Sequence, residues 1–295
     1  MKNNIGFLRL QFITSVFLYG TIGYILSFIS LPSEIVVLCR GFIGSIVMLL
    51  FVKAKGHRLD FSALKANSKW LILSGISLGL NWVFLFAAYR HTTVAVASLC
   101  NYMAPIIVIF LSPVLYKEKL TPVKIACVIS AFFGIILVSG VFPISDIQNL
   151  SLLGIALGLA GAVCFVLLII FNKKLNNISV FDRAIAQLSL SACTVFPYVL
   201  YCNLGKHLEL DTKSVLLTLM LGIVHTGVAY YFYFNGLGSL PVMSVAILGY
   251  IEPVISILTS ALLLAQPMNI YGIVGAVLII GAAVVSETVG IKASN

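Results

Sequence analysis

Apolar stretches of about twenty residues recur along the whole chain, and they constrain its fold more than any other feature. The charged or turn-rich gaps between them define ten segments, at residues 7–29, 35–52, 70–89, 93–115, 121–141, 151–171, 184–202, 214–236, 241–264 and 269–287. A helix of about 20 apolar residues crosses the hydrocarbon core of a bilayer. Only 9% of the 295 residues are charged, whereas a soluble domain carries about 25%. We therefore predict an all-α polytopic membrane protein with ten transmembrane helices in the lipid bilayer.

The basic residues predict how the chain is oriented. If the N-terminus is cytoplasmic, then of the 18 Lys and Arg residues only Arg90, Lys206 and Lys213 lie outside, and Arg40 lies within a helix. Positive charges concentrate in the cytoplasmic loops of membrane proteins, so this distribution predicts a cytoplasmic-membrane protein with both termini in the cytoplasm. The same rule accounts for the net charge of +9. No nucleic-acid partner is expected, because no basic stripe with interleaved aromatic residues is present.

An internal repeat divides the chain into two halves. A shift of 148 residues lays NWVFLFAAYRHTTVAVASLCNYMAP (81–105) over AYYFYFNGLGSLPVMSVAILGYIEP (229–253). Each half would contain five helices, and because five is odd, the second half must enter the membrane from the opposite side. We expect a first five-helix repeat at 1–142, an inverted second repeat at 148–289 and a cytoplasmic tail at 290–295. Transporters with such inverted-topology repeats bind their substrates near the midplane, where the repeats meet.

The residues around Pro105, the segment LYKEKLTPVKIACVISAFFGIILVSG (115–140) and the segment HTGVAYYFYFNGLGSLPVMSVAILGYIEPVISIL (225–258) resemble the EamA family of the drug/metabolite transporter superfamily. The resemblance covers both halves, and it implies a ten-helix fold that moves small organic solutes. By this resemblance, Arg40 matches the arginine of helix two, Glu118 the acidic residue after helix four, and Glu252–Pro253 the Glu-Pro pair of helix nine. The chain departs from the pattern at Gln266, where the family usually repeats the acidic residue, so its gating is not assumed to be identical.

The segment GYIEPVISI (249–257) places a carboxylate, Glu252, inside an apolar helix. A charge at the centre of a transmembrane helix costs about 2.5–3.5 kcal/mol on insertion scales. In the functional interpretation Glu252 faces a cavity and binds an ammonium group or a proton, which makes protons a candidate coupling ion. In the alternative, a protonated Glu252 hydrogen-bonds a neighbouring helix. Pro105 and Pro253 would bend helices four and nine beside that cavity and ease gating, or form static kinks.

Further candidate substrate-binding residues lie on the faces that the two prolines share. Helical spacing puts Ser98, Asn101 and Tyr102 on one face of helix four, and the related face of helix nine includes Tyr250. Tyr250 and Glu252 lie about 200° apart around an ideal helix. The two side chains are therefore not expected to point into one narrow pore together.

Helices three and eight add aromatic rings and neutral hydrogen-bonding groups that suit an amphipathic organic solute: Asn81, Trp82, His225, Tyr230 and Asn235. A cation could also bind against the rings. The alternative is that these residues anchor the helices at the membrane interfaces.

Arg40 lies a few residues inside helix two, and Gln187 stands at the equivalent place in the second half. Arg40 either extends to the interface or holds a substrate carboxylate. We assign gating or structural roles to both residues.

Enzyme chemistry is not indicated by any motif. The stretch GISLG (75–79) fits G-x-S-x-G, but that motif needs a strand-to-helix turn, and Ser77 lies inside an apolar segment. The six cysteines form no CxxC pair, so neither a metal site nor a cofactor is expected.

We expect a secondary transporter, an exporter or exchanger, that moves small organic metabolites by alternating access. Amino acids or related amphipathic solutes are the expected substrates. The alternatives are a multidrug or quaternary-cation transporter, a transporter of nucleotide-type solutes, and a membrane enzyme or scaffold. The direction of transport, the coupling ion and the oligomeric state, with a homodimer among the alternatives, stay open.

Overall fold

The computed structural model of the chain describes residues 5–54, 56, 59–92, 94–116, 121–138, 151–204, 210–263 and 270–292. Three residues named above, Glu118, Lys206 and Gln266, lie outside these ranges.

The described residues form helices and connecting turns. In chain order the helices are α1 Ile5–Gly20, α2 Ile22–Leu26, α3 Ser33–Ala54, α4 Phe61–Ala66, α5 Ser68–Tyr89, α6 Val94–Asn101, α7 Met103–Tyr116, α8 Pro122–Val138, α9 Leu152–Lys173, α10 Val180–Asn203, α11 Thr212–Gly222, a π-helix Ile223–Val228, α12 Ala229–Ser239, α13 Val242–Gly249, α14 Ile251–Leu263 and α15 Ile270–Lys292.

Six stretches of helix are long and apolar enough to cross a membrane: Ile5–Leu26, Ser33–Ala54, Ser68–Tyr89, Leu152–Lys173, Val180–Asn203 and Thr212–Ser239. Four shorter apolar helical stretches follow in the remaining predicted segments: Val96–Leu111, Pro122–Leu137, Ser244–Ser256 and Ile270–Ala282. The prediction of an all-helical protein with several membrane-spanning helices is thus confirmed.

Two of the predicted spans are interrupted at equivalent positions. The fourth is divided between α6 and α7 at Tyr102, and the ninth between α13 and α14 at Tyr250. Pro105 and Pro253 are each the third residue after the interruption. At that position a missing N–H costs little, because the first N–H groups of a helix have no partner within it.

Pairs of helices pack closely: α5 against α9 and against α10, α3 against α10, α1 against α12 and α8 against α15. Glycines allow close approach at some of these crossings. A Cβ atom added to Gly79 on α5 would lie 2.6 Å from the Cβ of Thr194 on α10. Dispersion between closely packed backbones is a main source of helix association in lipid, where burying apolar surface gains nothing.

Three contacts join residues that are separated by 148 positions in the sequence. Tyr250 Oη donates to the carbonyl of Tyr102 at 3.2 Å, and Ser130 Oγ lies 3.5 Å from the carbonyl of Leu278. The rings of Trp82 and Tyr230 meet edge to face, with centroids 6.3 Å apart. The shift that aligns the two halves of the sequence therefore also relates side chains that touch in the structure.

The largest core cluster fills the end of the bundle at which the chain begins. It contains Leu8 and Phe12 of α1, Val52 near the end of α3, Leu237 in the last turn of α12 and Leu240 directly after α12. Tyr19, Arg40, Tyr89, Tyr102 and Glu252, by contrast, keep part of their surface accessible. These five polar side chains lie in the middle of the bundle or towards its opposite end.

Candidate functional site

Arg40 is held inside the bundle by the π-helix. Its Nε donates to Thr226 Oγ1 at 3.0 Å, and that hydroxyl donates in turn to the carbonyl of Leu221, five residues earlier, at 3.0 Å. The wider π-helical turn leaves backbone groups differently placed than an α-helix does, and such turns are frequent at functional sites. The guanidinium is thereby fixed through one nitrogen, and within the described residues no acceptor is hydrogen-bonded to its two terminal nitrogens.

Glu252 is the second residue of α14, and its carboxylate is half-buried. The first turn of a helix carries a partial positive charge from its unpaired N–H groups, which stabilises an anion there. Within the part of the chain that the structure describes, no side chain donates a hydrogen bond to this carboxylate. The interruption at Tyr250 thus creates a helix N-terminus inside the bundle and places a free carboxylate on it.

The charges of Arg40 and Glu252 interact across the interior. The two side chains do not form an ion pair, because no nitrogen–oxygen contact within 4.0 Å joins them in the described residues. A buried charge without a partner is costly, so an ion pair would be expected to close if the site were designed only for stability.

Tyrosines surround the two charges. The tyrosines within electrostatic range of Glu252 come from four parts of the fold: Tyr19, Tyr89, Tyr102, Tyr230 and Tyr233. The rings of Tyr19 and Tyr230 meet edge to face with centroids 5.4 Å apart, and Trp82 contacts Tyr230 from the other side. The site therefore has two charges of opposite sign and aromatic walls.

Several sequence-predicted residues hold this wall together. Asn81 Nδ2 donates to Asn101 Oδ1 and to the carbonyl of Gly161, both at 2.9 Å, and so connects three helices. Ser98 Oγ lies 3.3 Å from Tyr89 Oη. These polar groups form hydrogen bonds within the protein. Asn81 in particular connects the helices around the site.

The π-helix and α12 carry two of the predicted residues, His225 and Asn235, which have different surroundings. His225 Nε2 lies 3.0 Å from Thr21 Oγ1, next to the Arg40–Thr226 contact. Asn235 lies ten residues further along the chain, about three helical turns, where its Nδ2 donates to Gln11 Oε1 on α1 at 2.7 Å. Asn235 thus joins α1 and α12, and it lies apart from Arg40 and Glu252.

Tyr250 and Gln187 are both fully buried and bonded within the protein. Tyr250 is fully buried in a core cluster with Ile135 and Ile279, and its hydroxyl is bonded to Tyr102. Tyr250 thus packs against α8 and α15, and its place in the substrate site stays a prediction. Gln187 is also fully buried, and its Nε2 donates to Ser74 Oγ at 2.6 Å. Gln187 thus joins α5 and α10.

The sequence did not single out Tyr19, Tyr89, Tyr233, Thr21 or Thr226. Tyr233 lies in YYFYF (230–234), which covers every face of a helix, so periodicity could not select it. Arg40 was recognised as unusual, but the residues that it interacts with lie on α1, the π-helix, α12 and α14. Only the folded chain brings them together.

A polar site enclosed by apolar, membrane-spanning helices is typical of an integral membrane transporter. The EamA-like transporter family matches residues 7–140 and again residues 152–288. The chain therefore belongs to the EamA family of the drug/metabolite transporter superfamily.

Similar proteins are named only as transporters. An uncharacterized transporter of Bacillus subtilis (strain 168), YxxF, is 24% identical over 270 residues, which cover 92% of this chain and 86% of the relative. An uncharacterized transporter of Archaeoglobus fulgidus is 29% identical over 206 residues, 67% of this chain and 69% of the relative. A solved crystal structure with 21% identity superposes with a TM-score of 0.80 over 96% of this chain and 98% of that chain, so the fold is shared.

Proposed function

We propose that this protein is a secondary transporter for amino acids or closely related zwitterions. The observation that carries the proposal is the pair of opposite charges, Arg40 and Glu252, which interact without forming an ion pair. A zwitterion could occupy the space between them, with its ammonium group on Glu252 and its carboxylate on the terminal nitrogens of Arg40. The guanidinium fork matches carboxylate geometry, and the carboxylate is an acceptor for ammonium protons.

The aromatic wall suits the rest of such a solute. An ammonium group near the faces of Tyr19 and Tyr230 would gain cation–π attraction of about 0.5–2 kcal/mol. Apolar parts of the substrate would contact the rings of Trp82 and Tyr102, which are half-buried. Ligand sites commonly combine an apolar lining with a few polar groups that fix orientation.

The contacts between residues 148 positions apart support an inverted repeat. When two similar halves are related by a twofold axis, a residue touches its own counterpart only near that axis. Trp82 with Tyr230, and Tyr102 with Tyr250, would then mark the axis in the middle of the membrane. The two matches to the family, at 7–140 and 152–288, support five helices in each half.

The distribution of packing supports alternating access. The core cluster at the end where the chain begins would close the cytoplasmic side, and the half-buried polar residues would be reached from outside. In the opposite state the second repeat would take the arrangement that the first has here. A solute or ion gradient would drive the cycle, with protons as the candidate ion because Glu252 can exchange one.

An organic-cation transporter is the second candidate, because Glu252 among tyrosines is also an arrangement that attracts quaternary ammonium groups. The two functions differ in their need for Arg40. A zwitterion uses both charges, whereas a cation without a carboxylate would be repelled by the guanidinium.

Ligand-dependent thermal stabilisation of the purified protein distinguishes them, because a ligand that binds the native state raises its apparent stability. The panel pairs each amino acid with its amide, which lacks the carboxylate, and with its N-acetyl derivative, which lacks the ammonium group. Stabilisation by intact amino acids alone supports the proposal. Equal stabilisation by the amides or by quaternary ammonium compounds favours the second candidate.

A further inference from the structure

We propose that a cavity at the end of α5 where that helix begins binds the phosphate group of an anionic phospholipid. The cavity has a volume of about 440 Å³ and lies between α4, the first turn of α5 and the turn that follows α9. It is separate from the site around Glu252, because Trp70, which lines it, is at the opposite end of α5 from Tyr89.

The wall of the cavity is fixed by paired hydrogen bonds. Asn67 Nδ2 donates to the carbonyl of Asn176 at 2.9 Å, and the N–H of Asn176 donates back to Asn67 Oδ1 at 3.0 Å. The next residue, Asn177, has a φ of 50°, a left-handed conformation that Asn tolerates better than most residues. These two hydrogen bonds join the turn after α9 to the start of α5, so this wall of the cavity is formed without a ligand.

Two ammonium groups converge on one indole ring beside this cavity. Lys69 Nζ lies 4.9 Å and Lys174 Nζ 5.1 Å from the centroid of the Trp70 ring, which also stacks on Phe171 at 5.8 Å. Both positive charges would attract an anion that binds beside this ring. Within the described residues neither lysine has a carboxylate partner.

The cavity also offers an acceptor group. Asp60 lines its opposite wall and uses Oδ1 to accept the N–H of Ala63 at the start of α4. The other carboxylate oxygen could accept from a hydroxyl. A phosphodiester with hydroxyls on its headgroup, such as phosphatidylglycerol, would therefore satisfy the lysines and Asp60 together.

The position of the cavity favours a lipid over a soluble anion. Trp70 and Phe171 lie at the ends of two membrane-spanning helices, Ser68–Tyr89 and Leu152–Lys173, and tryptophan prefers the headgroup level of a bilayer. Phe61 on α4 is 74% exposed, which suits a short helix resting on the membrane surface. Basic pockets between transmembrane helices are a known mode of binding anionic headgroups.

The two tryptophans of the chain allow a direct test. In a Trp82→Phe protein, Trp70 is the only tryptophan, and its fluorescence is quenched by lipids with brominated acyl chains. Reconstitution into brominated phosphatidylcholine, followed by titration with unbrominated phosphatidylglycerol or phosphatidylcholine, measures the relative affinity of each headgroup. We expect phosphatidylglycerol to relieve the quenching at a lower mole fraction, with a preference of about fivefold for each lysine that contacts the phosphate.

The variants Lys69→Gln and Lys174→Gln should each lose about that fivefold preference, while Lys53→Gln, an exposed lysine at the end of α3, should keep it. Equal relief by the two headgroups would overturn the proposal, as would loss of the preference in Lys53→Gln. Millimolar inorganic phosphate in the aqueous phase should not reduce the preference. If it abolishes the preference, the site takes a soluble anion and the assignment to a lipid is wrong.

Discussion

Arg40 on α3 and Glu252 on α14 interact electrostatically across the bundle interior, yet no ion pair joins them in the described residues. Arg40 donates a hydrogen bond to the hydroxyl of Thr226, and Glu252 lies in the first turn of a helix that starts inside the bundle. Two opposite charges that interact without pairing suit the two ends of a dipolar solute. This relationship is the basis of the functional proposal.

Thr226 should position Arg40 rather than contact the solute. Removing its hydroxyl in Thr226→Val leaves the volume nearly unchanged but deprives Arg40 Nε of its acceptor. A hydrogen bond to a charged group contributes about 1.5–3 kcal/mol, so we expect the affinity for an amino acid to fall by about tenfold or more. Thr259→Val is the matched control, because its hydroxyl bonds only to the carbonyl of Ile255 on its own helix. Equal losses in both variants would show that Thr226 acts through general stability.

Gly20 should be intolerant of any side chain. A Cβ atom there would lie 2.6 Å from the Cβ of Ile255 and 2.8 Å from the carbonyl of Glu252. Gly20→Ala should push α1 away from α14, lower the free energy of unfolding by about 1–3 kcal/mol and weaken solute binding. At Gly249 a Cβ atom would meet nothing within 4 Å, so Gly249→Ala should bind normally. Thermal unfolding and binding of both variants provide the comparison, and a normal Gly20→Ala protein would contradict the close crossing.

Asp211 should stabilise the end of the bundle opposite the N-terminus in a pH-dependent manner. Its carboxylate accepts hydrogen bonds from Ser214 and Ser30, which lower its pKa to about 2. Because the folded pKa lies below the unfolded value of about 3.9, the contribution is present above that value and is lost as the pH falls through about 2. Asp211→Ala should therefore lower the Tm at neutral pH, with a difference that shrinks in strong acid.

The control for Asp211 is Asp60→Ala. Asp60 also caps a helix through its side chain, but that helix, α4, has only six residues. A Tm loss in Asp60→Ala as large as that in Asp211→Ala would mean that the link between Ser30 and α11 contributes nothing beyond capping.

The orientation of the chain can be measured with single cysteines in a cysteine-free background. The distribution of basic residues predicts that Lys65→Cys faces the cytoplasm and Lys213→Cys faces the outside. A membrane-impermeant thiol reagent added to intact cells should label position 213 only. Labelling of both positions from outside would contradict the predicted topology.

The positions of the helices could be predicted because each depends on a local property of the sequence. Every helical stretch that is a candidate span lies within one of the ten apolar segments or extends it by a few residues. Pro105 and Pro253 marked the neighbourhood of the two interruptions, since a proline limits the helix before it. The breaks fall at Tyr102 and Tyr250, three residues before the prolines. Each proline therefore lies in the first turn of a new helix and does not bend a continuous one.

The site could be predicted only in part. Glu252 and Arg40 were recognisable because a charge in an apolar helix is costly wherever it lies. Their association was not, because it depends on how α1, α3, α12 and α14 cross. The π-helix at Ile223–Val228, which carries Thr226, was not predicted either. Helical geometry indicated that Tyr250 and Glu252 point to different sides, and in the structure Tyr250 is fully buried in a core cluster whereas Glu252 keeps part of its surface accessible.

The most direct test combines two variants with two altered ligands. Binding of an amino acid that stabilises the wild-type protein is compared with binding of its amide and its N-acetyl derivative, in Arg40→Gln and Glu252→Gln. Each variant should bind the amino acid at least about tenfold more weakly. Arg40→Gln should no longer distinguish the amino acid from its amide, and Glu252→Gln should no longer distinguish it from the N-acetyl derivative. If both variants keep the wild-type discrimination, Arg40 and Glu252 do not hold the two ends of a zwitterion.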